Sequence, residues 1–230
     1  MTLVAGFRCK NNGVLLCADR EENDGISKRE VDKISRILHP QGYVFIAGAG
    51  ASSVLSKFHG AVERAINDKI DLKTQHVRIF EKALEWVFAT YVKDEWNDAI
   101  SVVVVVAFHQ GDLAPLMYGS DKAIITQQTF YISAGSGKPI ADYLSDRLYQ
   151  HGLDKASLGA MAAFILREAE ESTLGVGLGA DMVFIHEGNR SLQYIGKDSV
   201  REIQAKLPNL GEMIWPHWKE HVKVPDWLEG

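Results

Sequence analysis

Between residues 51 and 66 the apolar side chains of Val54, Leu55, Phe58, Ala61, Val62 and Ala65 fall at three- and four-residue steps. That spacing puts them on one face of an amphipathic helix. A second helix is expected over 74–92, carried by Val77, Phe80, Ala83, Leu84, Val87 and Phe88, and two more over 139–149 and 156–171. Strand-like runs occupy 3–9 and 14–18, joined across Lys10-Asn11-Asn12-Gly13, where Asn-Gly marks a turn. Further strands are expected at 33–38, 43–47, 100–108, 116–118, 123–126, 130–133, 182–186 and 192–194. The stretch Val102 to Val106 does not alternate, which predicts a strand buried on both faces. The order is therefore strands, two helices, strands, two helices, strands. Each helix has one apolar stripe to bury, so sheets covered by helices on their outer faces satisfy that order.

Composition narrows the class. The length of 230 residues fits one large domain, 1–230, with 207–230 a Trp- and Pro-containing C-terminal tail. Acidic residues outnumber basic ones, 30 to 25, and no Lys- or Arg-rich block occurs, which argues against a nucleic-acid partner. The longest apolar run, 99–108, is too short to cross a bilayer, and the N-terminus lacks the regions of a secretion signal. No membrane association and a cytoplasmic location are expected. Cys9 and Cys17 each lie in an expected strand, and that setting favours buried, reduced thiols over a disulfide.

The candidate chemistry begins at Thr2. With Met1 removed, this residue carries a hydroxyl beside a free α-amine whose ordinary pKa is about 7.7–8.0, one recognised form of activated nucleophile. Asp19 ends the second strand-like run, and Lys33 follows fourteen residues later inside Ser27-Lys28-Arg29-Glu30-Val31-Asp32-Lys33-Ile34. Ala47-Gly48-Ala49-Gly50-Ala51 precedes the first helix, and Ala134-Gly135-Ser136-Gly137 the third. In this order, over roughly residues 2–187, the chain resembles the catalytic β-type subunits of the proteasome family, which are N-terminal nucleophile hydrolases.

The resemblance implies an α+β fold, a four-layer α-β-β-α sandwich of two antiparallel sheets flanked by helices. It implies a threonine-type endopeptidase in which Thr2 supplies the nucleophile and the proton relay. Lys33 would be the cation that keeps the amine neutral, Asp19 its partner, Gly50 the backbone oxyanion donor, and Ser136 the serine near the Thr amine. It also implies no metal or organic cofactor, assembly of identical copies into a ring or related oligomer, peptide or unfolded-protein substrates, and an ATP-dependent unfoldase partner. Gly48, with Val31 and Ser52, would line a roomy first specificity pocket. The long N-terminal helix of the family's α subunits is not seen.

One position departs from the family pattern. An aspartate usually precedes a Ser-Gly-Gly turn; aligning Gly177 to Ala180 with that turn puts Leu174 in its place, with Glu171 or Ser172 as substitutes. The Val-Gly-Leu-Gly-Ala-Asp form is closer to bacterial proteasome-like relatives such as Anbu. Two other readings stay open on the sequence: a structural subunit with the chemistry lost, or an amidase or peptide ligase of the same fold. Three motifs are decoys. Gly135-Ser136-Gly137-Lys138 is no phosphate loop, because Ile132 stands at the upstream glycine and Pro139 replaces the Ser or Thr. Gly175 to Gly179 has the wrong spacing for a dinucleotide fingerprint. His217-Trp218-Lys219-Glu220-His221 fits His-x-x-Glu-His, but lies nine residues from the end of the sequence.

Overall fold

The computed structural model describes residues 2–23, 27–66, 69–93, 99–109, 113–186 and 192–212; the His217–His221 motif lies outside them. The chain opens with β1 (Leu3–Arg8), a 3-10 turn (Lys10–Asn12) and β2 (Val14–Asp19). Two short strands, β3 (Glu21–Asn23) and β4 (Lys28–Glu30), form a separate ribbon. Next come β5 (Ile34–His39), β6 (Gly42–Gly50), α1 (Ser52–Ala65) and α2 (Leu72–Tyr91). β7 (Ile100–Phe108), β8 (Leu116–Asp121), β9 (Ile124–Gln128) and β10 (Tyr131–Gly135) precede α3 (Lys138–Leu148) and α4 (Lys155–Ser172). β11 (Ala180–Ile185), β12 (Leu192–Ile195) and α5 (Lys197–Gln204) follow.

The strands make two five-stranded antiparallel sheets, ordered β10-β1-β2-β11-β12 and β5-β6-β7-β8-β9. Three apolar clusters define the layers. Leu3, Ala5, Phe7, Leu15 and Cys17 pack outward against α3 and α4, through Leu144, Leu158, Ala162 and Ile165. Their neighbours Val4, Val14, Leu16 and Ala18 turn inward and meet Phe45, Val103 and Val105 of the second sheet. Val102, Val104 and Val106 face the other way, onto Phe58, Val62, Phe80 and Leu84 of α1 and α2. The valine run does not alternate because both faces of β7 are covered, and alternate residues serve different layers. The result is an α-β-β-α sandwich, as expected.

Two elements were not anticipated. The β3–β4 ribbon has no apolar alternation to announce it, and α5 offers only Val200 and Ile203 as apolar residues in eight. The segment after α5 is held on α4 by Arg167, which donates to the carbonyls of Gln204 (2.9 Å), Leu207 (2.8 Å) and Pro208 (2.6 Å). Leu207 and Leu210 pack against the cluster under α4. Cys17 is paired in register with Ala5, and both cysteines are free thiols.

Candidate active site

Thr2 stands one residue ahead of β1, at the end of a strand that is buried along most of its length, and is itself 6% exposed. Its backbone is held on both sides. Its nitrogen donates to Ser136 Oγ at 3.0 Å, and its carbonyl accepts from the Gly137 N–H at 3.2 Å. Gly135 makes this approach possible: its φ is +98°, and a Cβ there would lie 2.1 Å from the Thr2 oxygen. A side chain at 135 would displace Thr2, so the glycine is required for space as well as for backbone conformation.

Asp19 closes β2 beside Thr2, since β1 and β2 pair antiparallel with Val4 opposite Ala18. Its carboxylate is 2% exposed and fully occupied. Oδ1 accepts from the Leu3 N–H (2.8 Å) and Lys33 Nζ (2.8 Å), and Oδ2 from the N–H groups of Glu21 and Gly177 (3.1 Å each). Lys33 Nζ also reaches Thr2 Oγ1 at 2.8 Å and the Glu21 carbonyl. Thus one ammonium bridges the Thr2 hydroxyl and the Asp19 carboxylate. Burial pushes the Lys33 ammonium down from its ordinary value, with Asp19 pulling back. Burial likewise pushes the Asp19 carboxyl up, against Lys33 and the backbone donors.

Thr2 and Lys33 border a cleft of about 2250 Å³ whose walls also include Gly50 and Ser136. Gly50 ends β6 opposite Ile100, at φ +115°, and a Cβ there would meet the Ala99 carbonyl at 2.2 Å. Val31, Gly48 and Ser52, the residues expected around a first specificity pocket, share the cleft, and a Leu55 methyl lies 2.4 Å from where a Cβ at Gly48 would be. Glu22 lies on the same wall, its carboxyl held below the usual value by the Ser52 hydroxyl and by Arg29.

Neither Glu171 nor Ser172 takes the place of the aspartate that the family pattern has at Leu174. Leu174 is 74% exposed. Glu171 is turned toward Arg167 at 4.0 Å, and the Ser172 hydroxyl donates to the Glu168 carbonyl. Arg20 is the site-adjacent residue the sequence reading passed over, because a charged residue next to Asp19 reads as an ordinary solvated one. No group of three or more His, Cys, Asp or Glu among the described residues is arranged to hold a metal ion. No helix among them is long and apolar enough to cross a membrane.

Residues 2–185 match the proteasome subunit family. No curated protein matches the sequence. Solved structures of similar fold include Anbu, described as an ancestral beta-subunit, from Yersinia bercovieri. It is 11% identical, with 97% of this chain and 99% of that one covered and a TM-score of 0.78. The helical assembly of the Anbu complex from Pseudomonas aeruginosa is 13% identical, covering 98% and 99%, with a TM-score of 0.77. A mutant Anbu from Hyphomicrobium sp. is 14% identical, covering 98% and 100%, at 0.75.

Proposed function

The chain belongs to the proteasome subunit family, and on that premise we propose that it is a threonine-type endopeptidase acting through Thr2 as N-terminal nucleophile. The observation that carries the proposal is the single ammonium of Lys33, 2.8 Å from both Thr2 Oγ1 and Asp19 Oδ1 in a buried position beside a large cleft. The Thr2 nitrogen donates as a peptide N–H; loss of the residue ahead of it would convert that nitrogen into an amine. The neighbouring cation disfavours protonation of the amine and so leaves it free to act as a base near neutral pH.

In the proposed reaction Thr2 Oγ attacks the scissile carbonyl carbon and its proton passes to the α-amine. The Gly50 N–H takes the developing oxyanion, a role for which preorganised backbone donors are suited. Collapse breaks the C–N bond, the amine proton goes to the leaving nitrogen, and an ester on Thr2 remains. Water, deprotonated by the same amine, then releases the acid and restores the hydroxyl. Ser136 orients the Thr2 nitrogen throughout. By analogy with the Anbu assembly, the chain would act as a homo-oligomer in the cytoplasm on peptides or unfolded protein, with an ATP-dependent unfoldase as the natural supplier of extended chains.

The test combines an epoxyketone that reacts with both hydroxyl and amine, read by intact mass and peptide mapping, with the Thr2→Ala variant. A ring adduct on Thr2, and loss of all peptide turnover in an otherwise intact Thr2→Ala protein, are expected. Undiminished turnover by a clean Thr2→Ala preparation would remove Thr2 from the mechanism.

A further inference from the structure

Lys33 must hold its ammonium within hydrogen-bonding distance of Thr2, yet the chain that carries it has little core behind it. β4 is exposed at all three of its residues, and a two-stranded ribbon is marginal by itself. Polar contacts do the holding, and they converge on Arg20. Its Nε donates to Glu30 Oε1 at 2.9 Å and its Nη2 to Asp32 Oδ1 at 2.5 Å, two residues that flank Val31 just ahead of Lys33. Its Nη1 donates to Asp181 Oδ2, on β11.

The backbone of Arg20 repeats the pattern: its carbonyl accepts from the Val31 N–H at 2.9 Å, and its N–H donates to the carbonyls of Gly177 and Gly179. Gly177 is the residue whose own N–H binds Asp19. One residue thus ties together the segment bearing Lys33 and the turn that fixes its carboxylate partner. The guanidinium suits the task because its rigid planar fork presents five donors in fixed directions, whereas an ammonium is a compact charge on a flexible stem.

Resting on the peptidase reading above, we propose that Arg20 is a positioning residue, clamping the 28–33 segment so that Lys33 stands against Thr2. The charged and titratable groups around this clamp are Glu30, Asp32 and Asp181 on Arg20, Lys197 on Glu30 at 2.6 Å, and Tyr194 beside Asp181. Around Lys33 they are Asp19, Glu21 and Glu22.

The discriminating variant is Glu30→Gln, because charge alone and positioning predict opposite signs. Removing a negative charge by itself lowers the pKa of the Thr2 amine and moves the acid limb of kcat/KM to lower pH. Letting Lys33 drift away raises that pKa and moves the limb upward. The proposal expects an upward move of roughly half a unit, with kcat down roughly tenfold and KM little changed. Arg20→Lys should fall between wild type and Arg20→Met.

Hydrogen exchange of the full-length chain gives a second readout that needs no activity: Glu30→Gln and Arg20→Met should speed exchange in 28–33 while the central strands keep their protection. A downward or absent shift of the limb, or unchanged exchange in 28–33, overturns the proposal. Should wild type show no Thr2-dependent turnover, the peptidase reading falls separately and the exchange data alone decide whether Arg20 clamps this segment.

Discussion

The two walls of the candidate site are built in opposite ways. Thr2 stands just ahead of β1 and Asp19 ends β2, strands covered by α3 and α4 on one face and by the second sheet on the other. Lys33 follows a ribbon whose outer strand is exposed at each of its three residues and whose fixed points are ion pairs and backbone hydrogen bonds around Arg20. The nucleophile therefore owes its position to close packing, which gives way only with large energetic cost. The cation owes its position to polar contacts, each of which is individually modest near the surface. Substitutions among the packed residues that support the first wall should act through stability, and substitutions on the second through the pH and rate of the chemistry.

Lys33→Ala should have the largest effect and the clearest split between the two. Asp19 retains three backbone N–H donors, so its carboxylate stays satisfied and the fold should persist by circular dichroism and thermal melting. Turnover should nevertheless fall by at least about 10³-fold, as when one member of a catalytic unit is removed. A twofold loss would place Lys33 outside the reaction. Leu16→Ala tests the other wall. This side chain is fully buried between the sheets, and its truncation should cost about 2–5 kcal/mol in urea unfolding. The acid limb of the activity profile should stay in place for the molecules that remain folded. A shifted limb at unchanged stability would erase the contrast.

The same contrast decides what could be read from the sequence. α1, α2, α4 and β7 announce themselves because a packed core imposes periodicity on the residues that fill it, and their observed bounds lie close to the expected ones. The ribbon Glu21–Asn23 with Lys28–Glu30 carries no such imprint, since polar contacts between carboxylates and Arg20 or Lys28 leave no period. α5 is short and offers two apolar positions, too few to fix a helical step. The juxtaposition of Thr2, Asp19 and Lys33 came from ordered resemblance, because spacing along the chain does not say that positions 2, 19 and 33 meet. Gly135 was visible as part of a Gly-Ser-Gly string, whereas the reason for it, contact with the Thr2 carbonyl, required coordinates.

The smallest expected effect lies at the cleft rim, where Arg29 pairs with Glu22 at 2.6 Å. The arginine side chain is 65% exposed, so Arg29→Ala should change stability by less than about 1 kcal/mol. Its functional consequence follows from what it uncovers. Glu22 shares the wall formed by Val31 and Ser52, and without Arg29 its carboxylate keeps the Ser52 hydroxyl and the field of Lys33 but has no cation hydrogen-bonded to it. An unpaired negative charge on that wall attracts a cationic substrate side chain and leaves a neutral one indifferent. Cleavage of peptides with Lys or Arg on the acyl side should therefore rise by roughly two- to threefold in kcat/KM relative to Leu, and the gain should shrink as salt screens the exposed charge. An equal change for both peptides, or one insensitive to salt, would mean that Glu22 does not meet the substrate and that this wall, like the packed one, acts only through structure.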